Sequence, residues 1–159
     1  MTCQRNPAMR LFTARNAPGY VLQAHDVHGL RRVRKKQVEV TVAFAAAAGA
    51  IDTPEGRVHV RPGDALVTGH AGDRWRVPAA QFPLRYHPVP PLAAGSAGRY
   101  RSRPLAAQAA RMAEPFEVTL ADGVSRLQGE PGEWLLDYGD GSLAVVSAAA
   151  FAHTYELID

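Results

Sequence analysis

Five carboxylates of this chain gather around two short segments: Asp64 and Asp73 in the first, Glu133, Asp137 and Asp140 in the second. Acids held about one hairpin can bind a cation or serve as a general base, because a carboxylate is both an oxygen ligand and a proton acceptor. The plainer role of an Asp at a turn is to accept hydrogen bonds from its own backbone. Histidine offers a second chemistry. His25 and His28 have the His-x-x-His spacing with Asp26 between them, while His59, His70, His87 and His153 are scattered. A metal site needs three or four converging ligands, and nothing around residue 25 reads as the helix that a spacing of three would suit; no metal is expected. The run Arg31, Arg32, Val33, Arg34, Lys35, Lys36 could contact phosphates and bind nucleic acid in a salt-dependent way. No aromatic lies between Tyr20 and Phe44 to stack a base beside it. A solvated strand, or a partner for acids elsewhere in the chain, is the plainer reading. Trp75, Trp134 and Tyr138 could form a ligand or partner surface.

Several function classes find no support. The one cysteine, Cys3, rules out an internal disulfide framework and a Cys-rich zinc module, and no Gly-x-Ser-x-Gly elbow is present. Neither Gly-x-Gly-x-x-Gly nor Gly-x4-Gly-Lys occurs, so no phosphate loop and no cofactor are expected. No apolar run approaches the roughly 20 residues that span a bilayer. Residues 1–16 lack the apolar stretch of a secretory signal, so a cytoplasmic location is expected. They are acid-free and Arg-rich, and their plain reading is a loosely packed N-terminus.

Composition is that of a globular domain, 47% hydrophobic and 21% charged, but 28 residues are Ala and the core must be thin. Charge is uneven. Residues 1–45 carry +6, residues 46–112 carry +5, and residues 113–159 carry −8. Such an asymmetry can steer association between parts of one molecule or between molecules. Basic residues are Arg in 16 of 18 cases, which with abundant Ala, Gly and Pro fits a GC-rich bacterial coding sequence and weakens the case for nucleic acid.

An internal duplication must position these residues. Residues 62–86 align without a gap on residues 131–155, and nine of the 25 pairs are identical, among them Pro62/Pro131, Gly63/Gly132, Phe82/Phe151 and Tyr86/Tyr155. Upstream, an offset of 67 pairs Arg34, Lys35 and Lys36 with Arg101, Ser102 and Arg103. The expected organisation is an N-terminal extension over 1–32, partly mobile, unit one over 33–87, a Pro-then-Gly/Ala/Ser linker over 88–99, and unit two over 100–159. In each unit the pattern predicts strands, a Pro-Gly turn, a hairpin and a short C-terminal helix. Val38, Val40 and Val42 alternate as one strand face, 105–112 fits strand or helix, and 57–61 is a second strand. Hairpins are predicted for 64–69 with 73–77 and for 134–138 with 143–147. The helix over 148–155 has Ser147 at its N-cap, and Pro83 should shorten its counterpart. Residues 20–23 could add a strand to a sheet edge. Trp75 aligns with Ala144 and Trp134 with Ala65, a reciprocal large-for-small exchange that predicts one shared core.

The repeat resembles the PGDYG-type family of small bacterial and bacteriophage domains. The matching stretches are Arg34-Lys-Lys-Gln37, Pro54-Glu-Gly56, Pro62-Gly-Asp-Ala65 and residues 82–86, then Arg103-Pro104, Asp122-Gly123, residues 131–139 and residues 151–155. Gln37, Ala65 and Ser142 depart from the family's usual Pro, Trp and acid. The resemblance implies no particular reaction or ligand.

The expected fold is α+β and β-rich, with two duplicated units packed pseudo-symmetrically, since about 55 residues build little core alone. The leading functional expectation is a non-enzymatic binding or assembly module that engages a protein partner or another copy of itself. Nucleic-acid binding through Arg31, Arg32, Arg34, Lys35 and Lys36 is one alternative. The other is a small-molecule binder or small enzyme with a cleft between the units, for which Asp64, His70, Glu133, Asp137, Tyr138 and Asp140 are the candidate ligand-binding residues. No membrane partner is expected.

Overall fold

Alternation of buried and exposed residues makes nearly half of this chain β-strand. Residues 39–44 bury Val40 and Val42 while Glu39, Thr41 and Ala43 face solvent, the period-two pattern of a strand with one covered face. The computed structural model describes residues 9–15 and 17–158. Its elements run β1 (Arg10–Thr13), β2 (Arg31–Lys35), β3 (Glu39–Phe44), β4 (Gly49–Thr53), β5 (Gly56–Val60), β6 (Ala65–Thr68), β7 (Arg74–Val77), α1 (Phe82–Arg85) and β8 (Tyr86–Pro88). They continue as β9 (Gly98–Ser102), β10 (Ala106–Arg111), β11 (Phe116–Thr119), β12 (Arg126–Gly129), β13 (Trp134–Asp137), β14 (Leu143–Val146), α2 (Ala148–Thr154) and β15 (Tyr155–Leu157). The class is α+β and β-rich. No helix among the described residues is long and apolar enough to cross a membrane.

Two five-stranded sheets carry the architecture, ordered β7-β6-β3-β9-β8 and β14-β13-β10-β2-β15. They share one plan down to the register. Glu39 faces Arg101 as Ala106 faces Arg34, Thr41 faces Thr68 as Gln108 faces Asp137, and Tyr86 faces Ser102 as Tyr155 faces Lys35. In each sheet the fourth strand comes from the other half of the chain. Strand β9 opens the second half yet lies between β3 and β8, and β2 opens the first half yet lies between β10 and β15. The halves therefore exchange their first strands.

Residues 88–99 accordingly do not join two bodies. They close the antiparallel β8–β9 hairpin, with the Val89 N–H donating to the Arg99 carbonyl at 3.0 Å. The small sheets β4-β5 and β1-β11-β12 correspond in the same way, and the Gln128 N–H donates to the Glu55 carbonyl between them at 2.8 Å.

Each large sheet buries one face under its own short helix. Val40, Val42, Val67, Phe82, Tyr86 and Tyr100 form one cluster; Val33, Ala107, Ala109, Leu136, Phe151 and Tyr155 form its counterpart. Trp134 stacks on Phe151 with ring centroids 3.8 Å apart, and Trp75 packs against the first cluster, so each tryptophan packs in the cluster of its own sheet rather than in one shared core. A third cluster joins Phe12, Leu22 and Val27 to Val58, Phe116, Leu135 and Val145.

Several local expectations hold. The Ser147 hydroxyl caps α2 by accepting from the Ala150 N–H, α1 with Pro83 at its start has four residues against seven in α2, and the Ala-rich 105–112 segment is strand β10. The N-terminal reading changes. Residues 10–13 form β1, parallel to β11, with Phe12 buried. Residues 20–23 make no strand but are tethered at Val21 and Leu22. The rest of the expectation for 1–16 lies on residues 1–8 and 16, outside the described residues.

Candidate functional site

Edge strands β7 and β14, equivalent in the two halves, both line a cavity of about 1050 Å³, so it lies where the halves face each other. Trp75 and Arg76 enter from β7, and residues 143–146 from β14. Lys35, Arg85, Tyr86, Tyr138 and Tyr155 make up a polar wall, and Glu55, Asp73 and Glu133 contribute carboxylates.

Strand exchange builds that wall. Lys35 ends β2 and lies opposite Tyr155 of β15, and its ammonium crosses to the other sheet to donate to the Tyr86 hydroxyl at 2.6 Å. Nζ also lies 4.4 Å from the centre of the Tyr86 ring and 6.0 Å from that of Tyr155, where the negative faces of the rings attract a cation. Lys35 is buried, and burial pulls its pKa from 10.5 down to about 8, with Arg85 acting in the same sense. Burial also raises Tyr86 to about 12 and Tyr155 well above the usual phenol range, so both stay neutral. The Tyr155 and Tyr138 hydroxyls share a hydrogen bond of 2.8 Å.

Arg85, buried at the end of α1, donates to Asp140 at 2.9 Å and to the Ser142 hydroxyl at 2.6 Å, and its guanidinium lies 4.1 Å from the Tyr138 ring centre. Burial works against the Asp140 carboxylate, but the Ser142 hydroxyl and Arg85 together hold it below the ordinary carboxylate range. Glu55 behaves oppositely: burial, then the charges of Glu133 and Asp73, push it up to about 7.

The candidates read from the sequence separate on this framework. Tyr138 and Glu133 line the cavity, though Glu133 also accepts from the Glu130 N–H at 2.7 Å and so closes its own turn. Asp64 lines it as well, but is spent on structure, accepting from the Arg61 and Ala79 N–H groups and pairing with Arg76 at 2.8 Å. Asp137 is fully buried and accepts from the Val21, Leu22 and Gly139 N–H groups, an anchor for the N-terminal segment. Asp140 holds Arg85 in place. His70 stacks on His153 at 3.8 Å and does not line the cavity.

Strand geometry splits the basic run. Arg31, Arg32 and Arg34 are exposed, Lys35 turns inward, and Lys36 donates to the Ala152 carbonyl at 3.0 Å. Arg34 pairs with Glu156 at 2.7 Å. No group of three or more His, Cys, Asp or Glu able to hold a metal ion occurs among the described residues.

Sequence reasoning missed Arg85, Glu55 and the inward turn of Lys35. The last had a signal. Val33 and Lys35 are two apart, so a strand that buries one buries the other. Arg85 had none, since its helix reads only as a shortened copy of α2 and aligns it with Thr154.

No curated protein and no solved structure matches the chain. A family model does. It matches once, over residues 56–156, from the start of β5 into β15, and so runs through both halves rather than finding each separately. That match covers well over half of the chain and contains both the hairpins and the Tyr86 and Tyr155 walls of the cavity, and the chain belongs to the PGDYG protein family.

Proposed function

We propose that the chain is a non-enzymatic binding module, built from two tandem PGDYG-like units, whose ligand is a small molecule held between the two large sheets. The cavity of about 1050 Å³, walled by Lys35, Arg85 and three tyrosines, carries this reading. Ligand sites are concave, largely apolar spaces of several hundred cubic ångströms with a few converging polar groups. A buried lysine with no carboxylate beside it among the described residues is also unfavourable for folding alone, and such unfavourable groups collect where proteins bind. Asp64, Asp137 and Asp140 spend their lone pairs on backbone and arginine donors, which leaves them poor general bases. The nine identities between residues 62–86 and 131–155, and the matched registers of the sheets, support the duplication.

Native mass spectrometry of gently purified chain tests the binding reading. A retained small molecule is expected, and Ala144→Phe, which puts a ring into the cavity wall, should abolish the retained mass. A bare chain that also takes up nothing from a small-molecule library by ligand-observed NMR would sink the proposal. A second reading, assembly through open sheet edges, draws on β15, an edge strand that ends on exposed Leu157 and is followed by exposed Ile158. A concentration-independent monomer mass in sedimentation would remove it.

A further inference from the structure

Lys35 determines which ligand chemistry the cavity wall can take. The residue is 6% exposed, and its Nζ has the Tyr86 hydroxyl at 2.6 Å and two aromatic faces as neighbours. None of these carries negative charge, and among the described residues no carboxylate lies within ion-pair distance of Nζ. Of the side chains that act on it electrostatically, Tyr138 raises its proton affinity, while Arg85, of the same sign, lowers it and is already matched by Asp140. Tyr86 accepts from Lys35, and Trp75 also hydrogen-bonds to its hydroxyl, so the Tyr86 proton is left to be donated, with no acceptor for it among the described residues. The Tyr86 hydroxyl proton and the N–H groups of Lys35 beyond the one given to Tyr86 thus converge on the cavity wall. Beside a cation this deeply buried, a charge of opposite sign gains far more than it would on the surface.

We propose that the cavity's occupant, on the reading that it holds a small molecule, is an organic anion whose carboxylate or phosphate group accepts from Lys35 Nζ and the Tyr86 hydroxyl. Its body then lies along the Tyr138 and Tyr155 side of the wall. The lowered proton affinity of Lys35 agrees with this arrangement, since an ammonium that lacks its counter-charge gives up its proton easily. Binding of the anion should reverse that, so protein and ligand titrate together.

The test uses the full chain with carbon-13-labelled lysine, and follows the Lys35 Cε signal by NMR. Inorganic phosphate, acetate, benzoate and phenyl phosphate are added in turn, with neutral benzamide as the isostere of benzoate. The anions are expected to move the Lys35 signal saturably and to raise the pH at which it titrates, with benzamide binding roughly tenfold or more weakly than benzoate. Whichever of benzoate and phenyl phosphate saturates at lower concentration names the group. Lys35→Met should weaken anion binding roughly 10- to 100-fold and leave benzamide unchanged, whereas Lys35→Arg should keep part of it. Equal binding of benzamide and benzoate would overturn the anion assignment while leaving the cavity reading intact. No response of any cavity residue to any probe would overturn both. The isostere comparison needs no variant, so it decides the matter even where Lys35→Met fails to fold.

Discussion

At the scale of the residue, Lys35 couples stability to pH. Its ordinary pKa is 10.5 and burial lowers it to about 8 in the fold. Between those values the unfolded chain binds more protons than the folded one, so stability rises with pH across that window and is lowest below about pH 8. At 1.36 kcal/mol for each tenfold change in proton affinity, the rise is about 3 kcal/mol. Chemical denaturation at a series of pH values should show this rise in the native chain and lose it in Lys35→Met. That variant should also be the more stable of the two at pH 7, where the native ammonium is buried with no counter-charge among the described residues. Equal pH slopes for the two proteins would mean that Lys35 is solvated. Asp137 is the opposite case, a buried carboxylate saturated by donors. Asp137→Ala strands three N–H groups and should cost about 3 kcal/mol, with amide exchange at Val21 and Leu22 accelerating before that of the sheets. Undisturbed exchange there would show that the N-terminal segment is held by its apolar contacts alone.

Among the elements, the turns and caps do more than close the chain. Ser147 is the N-cap of α2, and that helix presses Phe151 onto Trp134. Ser147→Ala should therefore cost about 1 kcal/mol in a denaturation experiment, and a variant as stable as the native chain would show that the stacked rings hold the helix unaided. Gly141, in the β13–β14 turn, has φ +88°, and a Cβ there would run into the Arg15 carbonyl oxygen. The turn is thus a socket for the N-terminal segment, since the Arg15 N–H donates to the Gly141 carbonyl at 2.7 Å. Gly141→Ala should expose residues 10–15 to limited proteolysis, whereas the equivalent Gly72→Ala, with nothing within 4 Å of its added Cβ, should incur only the strain of its φ. Equal proteolysis of the two variants would sink the socket assignment. Much at this scale was legible: Ser147, the Pro83 shortening and both hairpins follow from neighbouring residues.

Reciprocal strand exchange dominates the behaviour of the whole molecule. The first sheet needs β9 and the second needs β2, so a fragment of residues 1–95 has no strand to stand between β3 and β8. Both β3 and β8 would then expose unpaired backbone groups at an edge. Residues 1–95 should be unfolded or insoluble alone by calorimetry and circular dichroism, and should regain structure on mixing with residues 96–159. A stable, cooperatively melting 1–95 fragment would refute the dependence. The charge asymmetry serves the same closure. Basic residues 1–45 supply β1 and β2 to the acidic second half, where Arg34 meets Glu156.

The sequence by itself determined the β-rich class, the hairpins, the cap of α2 and the correspondence of 62–86 with 131–155, because each rests on periodicity or on residues close in the chain. It also held Tyr86 and Tyr155 as a matched pair. What it could not determine was which strand stands beside which. Local pattern shows that β2 and β9 are strands, but pairing Lys35 with Tyr155 closes a loop of 120 residues, and its hydrogen bonds look like those of any other pairing. Only the tertiary structure decides that the first strands trade places. The same trade turns Lys35 from one member of a basic run into a buried cation bonded to Tyr86 in the cavity wall. The carboxylates that looked most like chemistry became anchors, since a buried Asp surrounded by N–H groups is worth more to the fold saturated than left free to react.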